Sequence, residues 1–183
     1  AGGCNSGVAS SSGEFVAFLN NDARPDVGWI REAIAVFDDP DITAVASRVL
    51  DADGRLVDFI DAGMTWYGKA YKPFVGEVAG TLGRREKDVL FGTGSAMFVR
   101  RTAFEALGGF DDRFFMFYED VDFGWRLTLR GWRFRYVPES VAYHRHHGSA
   151  GRFATYKEQY LLDRNALFVL YKNVEDDRLG EVL

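Results

Sequence analysis

Apolar and polar positions fall into short blocks over the first fifty residues. Ala1 to Ala9 is a small-residue segment that reads as a helix or turn, and Ser10 to Gly13 is a loop signal. Glu14 to Leu19 then alternates too little for a half-exposed strand and predicts a short buried one. It ends in the polar stretch Asn20-Asn21-Asp22-Ala23-Arg24-Pro25-Asp26. From Val27 to Phe37, Ile30, Ile34 and Phe37 recur at helical spacing, and Asp38-Asp39-Pro40-Asp41 stops that helix. Ile42 to Val49 predicts a second strand. Strand, polar loop, helix and strand make the rhythm of an α/β sheet with crossover connections.

The pattern then changes. Asp51-Ala52-Asp53-Gly54 is a hairpin-type turn. Leu56 to Tyr67 and Lys69 to Val78 mix polar and aromatic residues with scattered glycine, which predicts irregular antiparallel strands or an excursion from the sheet. Gly80 to Lys87 is basic and glycine-containing, a candidate mobile loop. Strand character returns over Val89 to Arg100, and Arg101 to Leu107 predicts a short helix closed by Gly108-Gly109. A helix opens at Glu119 and ends at Gly131, with Val121, Trp125 and Leu129 on its buried side and Asp122, Arg126, Arg130 and Arg133 on its polar side. Phe134 to Val137 is a strand halted by Pro138, and Ser140 to His147 is a short strand or extended loop. Phe153 to Lys172 reads as a long amphipathic helix with Tyr156, Tyr160, Leu161, Leu167, Phe168 and Tyr171 on its apolar face.

Composition narrows the class. The 183 residues are 47% hydrophobic and 15% aromatic, enough for one packed domain. The net charge of -5 argues against general nucleic-acid binding. Cys4 is the single cysteine, which excludes an intrachain disulfide and an all-cysteine zinc site. The apolar runs are too short to span a bilayer, and no charged segment precedes an apolar one at the start. The expectation is a soluble, cytoplasmic protein.

Three places carry candidate chemistry. Asn20-Asn21-Asp22 lies at the carboxyl end of a predicted strand, where open α/β sheets bind ligands. Asn20 and Asp22 share one side of an extended segment. A carboxylate beside a neutral oxygen donor suits Mg²⁺ or Mn²⁺ held jointly with a diphosphate. The same residues also cap helices and form turns. Glu119 and Asp120 follow the aromatic run Phe114 to Tyr118. Acidic residues suit a first helical turn for dipole reasons alone, and carboxylates against aromatic surface also suit a general base. His144 and His146 share a face of an extended segment, as metal ligands or as a surface cluster. Gly92-Thr93-Gly94-Ser95 lacks the Gly-Lys-Ser/Thr of a phosphate loop and reads as a tight turn, or as the lining of an acceptor pocket. Trp66, Tyr67, Tyr71 and Trp132 are suited to stacking on a sugar face, with core packing the default for each.

The ordered set resembles family 2 of the inverting glycosyltransferases, with the GT-A fold, and within it the bacterial rhamnosyltransferase-like branch. Its pieces are Asn5 to Ala9, Gly13 to Asp22, Gly92 to Ala96, Gly108 to Asp111, Tyr118 to Asp122, Arg126-Leu127, Gly131-Trp132 and His144. The resemblance implies that Asn20-Asn21-Asp22 takes the place of the Asp-x-Asp metal motif, with Asn departing at the first acid and Asp22 remaining a metal ligand. It places Asp120 as catalytic base and Glu119 as its helper or an acceptor contact. It gives His144 a further metal or diphosphate contact, with His146 the nearest substitute, and sets Gly92 to Ser95 at the acceptor site. It further implies a nucleotide diphosphate sugar donor, dTDP- or UDP-linked, and Mg²⁺ or Mn²⁺. The acceptor would be a saccharide or lipid-linked saccharide of cell-surface polysaccharide synthesis, met by peripheral association at the inner membrane face.

Members of that family open with a nucleotide-binding half that has no counterpart here. The expectation is a Rossmann-like mixed sheet lacking its first strands, residues 1–183 forming one partial domain of a longer transferase. Two other readings stand beside it: a non-catalytic sugar- or partner-binding remnant, and a nucleotidyltransferase.

Overall fold

A computed structural model describes residues 1–145 and 155–182. The elements in chain order are α1 (Gly2–Ala9), β1 (Phe15–Leu19), β2 (Ala23–Pro25), α2 (Trp29–Ala35), β3 (Ile42–Asp51), β4 (Val57–Phe59), β5 (Gly63–Met64), β6 (Ala70–Tyr71) and β7 (Lys87–Asp88). Then come β8 (Ala96–Arg100), α3 (Arg101–Ala106), α4 (Glu119–Leu129), β9 (Arg133–His144), α5 (Thr155–Asn173) and α6 (Asp176–Val182). The main sheet is mixed, in the order β1-β8-β3-β9-β2, with β4 added to β3 and β7 to β9. β8 is antiparallel to both β1 and β3, and β9 is parallel to β3. Hence β1, β3 and β9 all point the same way, and their carboxyl ends share one edge.

Burial explains the order. β3 is the central strand, buried at every residue from Ile42 to Leu50, as its near-continuous apolar run requires. Among the described residues β1 has one strand neighbour, β8, and buries Val16 and Phe18 while Ala17 and Leu19 are exposed. It is therefore a half-buried strand, and the expectation of full burial is corrected. Strand character within Val89 to Arg100 is confined to β8, because Phe91 to Ser95 is drawn into a turn at the sheet edge.

α2 turns a different face inward than Ile30 and Ile34 predict. Trp29, Ala33 and Phe37 are buried and Ile30 is 59% exposed. The reason is the indole. Trp29 packs on Phe98 with ring centroids 4.4 Å apart, and its Nε1–H donates to Ser47 Oγ at 2.8 Å. Ser140 completes this buried trio, 3.0 Å from Ser47 Oγ and donating to Trp29 O at 2.9 Å. Ser140 can reach because β9 does not stop at Pro138. Its register on β3 jumps from Ser47↔Val137 to Arg48↔Val141. Pro138, which has no N–H to offer a ladder, sits within that bulge.

The two later helices also differ from their apolar periodicity. On α4, Val121, Asp122, Phe123, Gly124 and Leu127 are buried, while Leu129 is 63% exposed. Asp122 goes inside because Arg126 (2.7 Å), Lys172 (2.9 Å) and Asn173 (3.0 Å) all bond its carboxylate, which offsets the cost of burying it. On α5, Tyr156, Tyr160, Leu167 and Tyr171 are exposed, and Asn165, Val169 and Leu170 are buried instead. Phe168 meets Phe114 at 4.8 Å. The expected contribution of His146, and the start of the 153–172 helix, lie outside the described residues. The Gly80 to Lys87 segment is tied at Gly83, whose carbonyl accepts from Tyr136 Oη at 2.8 Å.

Gly124 lets α4 lie against the sheet. A Cβ there would stand 2.5 Å from Leu90 O and 2.6 Å from Phe91 Cβ. Gly124→Ala is expected to destabilise the protein by about 1–3 kcal/mol through overpacking, reversing the gain of about 1 kcal/mol that an exposed helical glycine would show. The urea midpoint checks this, and an unchanged or raised midpoint would contradict the packing described.

Candidate active site

The shared carboxyl edge of β1, β3 and β9 opens into a cavity of about 580 Å³. One wall is the turn after β1. Asn20 N–H donates to Ser95 O at 3.0 Å, and Asp22 O accepts from Arg145 N–H at 3.0 Å. These bonds fix Asn20, Asn21 and Asp22 along the cavity, with Asn20 and Asn21 exposed to it. β9 ends beside them. His144 Nε2 lies 3.1 Å from Asp22 Oδ1 and 3.4 Å from the Asn20 amide. Its other nitrogen, Nδ1, lies 2.8 Å from Asp58 Oδ2. The hydrogen bond to Asp58 is the main cause that holds the His144 imidazole above its ordinary pKa; burial opposes it, and the Asp22 charge adds to it.

Asp22 and His144 fit a divalent cation. Their 3.1 Å separation matches adjacent ligands on one octahedral ion, about 3.0 Å apart for bonds of about 2.1 Å. Among the described residues no cluster of three or more His, Cys, Asp or Glu side chains suited to a metal is found. Two protein ligands with the rest left to water and phosphate oxygens is how Mg²⁺-type sites in phosphate chemistry are usually built.

The opposite wall is the start of α4. Asp120 Oδ2 accepts from Gly94 N–H at 2.8 Å and Oδ1 from Val121 N–H at 2.9 Å. Burial raises the Asp120 pKa, while the two N–H groups and the Lys72 charge oppose that rise. Glu119 is pushed up to about 7, first by burial and then by the Asp120 charge. Its Oε2 is buried with no hydrogen-bond partner among the described residues. Thr93, Gly94 and Ser95 line the cavity with these carboxyls. Gly92 does not; it is buried where a Cβ would strike the Phe134 ring at 2.6 Å. Tyr71 also lines the cavity and is half exposed, so core packing does not describe it, nor does it describe the exposed Trp66 and Tyr67. Trp132 is partly buried against the core.

The segment that delivers Asp120 is strained. Phe115, Phe117 and Tyr118 all have positive φ, at 63°, 66° and 71°, a costly conformation for bulky residues. Asn165 on α5 holds it: its buried Nδ2 donates to the carbonyls of Phe114 (3.2 Å), Met116 (2.8 Å) and Phe117 (2.7 Å). Tyr118 Oη in turn accepts from Ala70 N–H at 3.0 Å. Sequence reasoning missed Asn165, Lys72 and Asp58 as parts of this site. Asn165 stands out only as a polar residue on a helix read as amphipathic, and nothing in the local pattern marks Asp58.

The sequence profile described as glycosyl transferase family group 2 matches residues 15–163. The chain belongs to this family. The family 2 chain is 34% identical over 158 residues to the O-antigen biosynthesis protein RfbC of Myxococcus xanthus, covering 82% of this chain and 12% of that protein. It is 32% identical over 148 residues to the pre-mycofactocin glycosyltransferase of Mycobacterium tuberculosis, covering 78% and 29%. Over 67 residues it is 48% identical to the N-acetylglucosaminyl-diphospho-decaprenol L-rhamnosyltransferase of the same species, covering 37% and 22%. The chain thus spans well under a third of the length of these relatives. Its fold is GT-A: it superposes on GalNAc-T7, solved with UDP, GalNAc and Mn²⁺, with a TM-score of 0.64 at 16% identity over 91% of this chain and 33% of that one. The mannosyltransferase PcManGT of Pyrobaculum calidifontis, solved with GDP-Man and Mn²⁺, gives 0.53 at 15% identity over 98% and 56%.

The state of Glu119 has a measurable consequence. Its ordinary value is 4.5 and its folded value about 7. Between these the folded chain keeps a proton the unfolded chain has lost, so stability falls as pH rises through that window and stays lower above it. Relative to the wild type, Glu119→Gln is expected to gain on the order of 3 kcal/mol between about pH 4 and about pH 8. Urea unfolding at the two pH values reads this, and a pH-independent difference would mean that Glu119 titrates the same in the folded as in the unfolded chain.

Proposed function

We propose that the full-length protein is an inverting glycosyltransferase that moves a sugar from a nucleotide diphosphate to a hydroxyl acceptor. The observation that carries this is one cavity with Asp22 and His144 on one wall and Asp120, fastened to Gly94 N–H, on the other. The donor diphosphate lies along the Asn20-Asn21-Asp22 turn. Asp22 and His144 would hold a Mg²⁺ or Mn²⁺ ion, which would supply positive charge against the charge that builds on the leaving diphosphate. The imidazole favours Mn²⁺ of the two, and both solved neighbours named above contain Mn²⁺.

Asp120 acts as general base. The acceptor oxygen forms a bond to the anomeric carbon, the bond from that carbon to the diphosphate oxygen breaks on the opposite face, and the acceptor proton passes to Asp120. One in-line displacement inverts the carbon and requires no covalent nucleophile. Burial that raises the Asp120 pKa strengthens it as a base, and the Gly94 and Val121 N–H groups keep its charged form accessible. Glu119, protonated up to about 7, is placed to donate a hydrogen bond to the acceptor beside Thr93 to Ser95. The name of the decaprenol L-rhamnosyltransferase supports a lipid-linked saccharide acceptor, and the solved neighbours with UDP and GDP-Man support a nucleotide diphosphate donor; we take a dTDP- or UDP-linked one. No helix of the described residues is long and apolar enough to cross a membrane. Peripheral association at the cytoplasmic face is the proposed way of meeting a lipid-linked acceptor.

Asp120→Asn in the full-length protein is expected to lower turnover by about 10²–10⁴-fold with donor binding little changed, read by nucleoside diphosphate release and by donor titration. Near-normal turnover would remove Asp120 from the chemistry. Release of pyrophosphate instead would indicate nucleotidyl transfer.

A further inference from the structure

Asp58 lies in β4, within the irregular excursion that follows β3, and its side chain is 1% exposed. A carboxylate so deep needs partners for both oxygens. Its Oδ1 accepts from Lys72 Nζ at 2.5 Å, and its Oδ2 lies 2.8 Å from His144 Nδ1. With His144 Nε2 3.1 Å from Asp22 Oδ1, four side chains from four separate segments form one line: Lys72, Asp58, His144, Asp22.

A purely structural ion pair would need only Lys72 and Asp58. The second oxygen does something the ion pair does not require. A carboxylate can only accept, so the nitrogen facing it must carry the hydrogen. Nε2 faces the Asp22 carboxylate in the same way, so without a cation both nitrogens carry hydrogens; when a cation is shared with Asp22, the Nε2 hydrogen on the cavity side is the one that gives way, while Asp58 keeps the Nδ1 hydrogen. The 2.8 Å contact also fixes the ring plane. Both effects prepare His144 to ligate, and a carboxylate behind a ligating histidine raises its basicity as well. Lys72 in turn supplies the opposite charge that lets Asp58 stay buried next to the site.

Resting on the cation site of the proposed function, we propose that Asp58 is the positioning residue of that site: it holds the Nδ1 proton of His144 and aims Nε2 at the ion shared with Asp22. It does not line the cavity and acts on the ion through His144.

The test uses the full-length protein and Mn²⁺ alone, followed by electron paramagnetic resonance of the free ion. An amide at position 58 has one acceptor oxygen for two donors, so Asp58→Asn is expected to weaken Mn²⁺ binding by about 10–100-fold, and Asp22→Asn to weaken it at least as much. Histidine-selective ¹⁵N NMR of the wild type loaded with diamagnetic Mg²⁺ gives a second reading that does not depend on Asp58→Asn folding. The His144 ring, assigned by its loss in His144→Gln, is expected there to carry its hydrogen on Nδ1. Unchanged Mn²⁺ affinity in a folded Asp58→Asn, or a Mg²⁺-loaded wild-type ring that carries its hydrogen on Nε2, would overturn the role of Asp58. If Asp22→Asn loses Mn²⁺ while Asp58→Asn retains it, only the positioning role falls. If Asp22→Asn binds as tightly as the wild type, the cation site falls, and the role of Asp58 with it.

Discussion

The parallel pairing of β3 and β9 is the constraint on which the site depends. It brings His144 opposite Asp51 on one side and opposite Ala23 of β2 on the other, and so beside an Asp22 that is far away in sequence. The pairing is interrupted by a bulge at Pro138, and the bulge is fastened by a buried hydroxyl and indole trio, Ser47, Ser140 and Trp29. Because side chains alternate along a strand, a slip of one residue in β9 would turn His144 to the other face of the sheet. The distance between His144 and Asp22 is therefore set by polar contacts well away from the cavity. Those contacts explain why these three hydrogen-bonding side chains are buried.

The second wall is built on a different principle. Asp120 is delivered by a segment with three bulky residues at positive φ, which would not persist without support. Asn165 supplies that support from α5, and the Asp122, Arg126 and Lys172 ion network fixes α5 against α4. One wall thus rests on sheet register and the other on helix packing. The cavity between them holds a region suited to a cation and, across it, a carboxylate kept basic by burial. Lys72 links the two, bonded to Asp58 on the first wall and lowering the Asp120 pKa on the second.

Much of this is legible in the chain before any coordinates. The α/β order, the turn at Asp51 to Gly54, and the placing of Asn20 to Asp22 at the end of a strand follow from local pattern. The family follows from the order of short motifs. What pattern reading misplaces are the buried faces of helices. Ile30, Leu129, Tyr156, Tyr160, Leu167 and Tyr171 are apolar at helical spacing and yet face outward. In each helix a polar group with an exacting partner decides the rotation instead: the Trp29 indole in α2, the Asp122 carboxylate in α4 and the Asn165 amide in α5. Hydrophobic periodicity carries no record of those distant partners. Pro138 misleads for a related reason, since a strand can pass through proline at a bulge that only the neighbouring strand reveals. Asp58 is invisible locally because its meaning comes from His144, 86 residues later.

The stereochemistry of transfer tests the account most directly. The full-length protein is supplied with the nucleotide sugar it turns over, and the anomeric configuration of the first-formed product is read by ¹H NMR. A single in-line displacement driven by Asp120 across from Asp22 and His144 predicts a product of one configuration, inverted relative to the donor. A product that retains the donor configuration would require an intermediate step on the same face and would contradict the assignment of Asp120 as the base of a direct displacement.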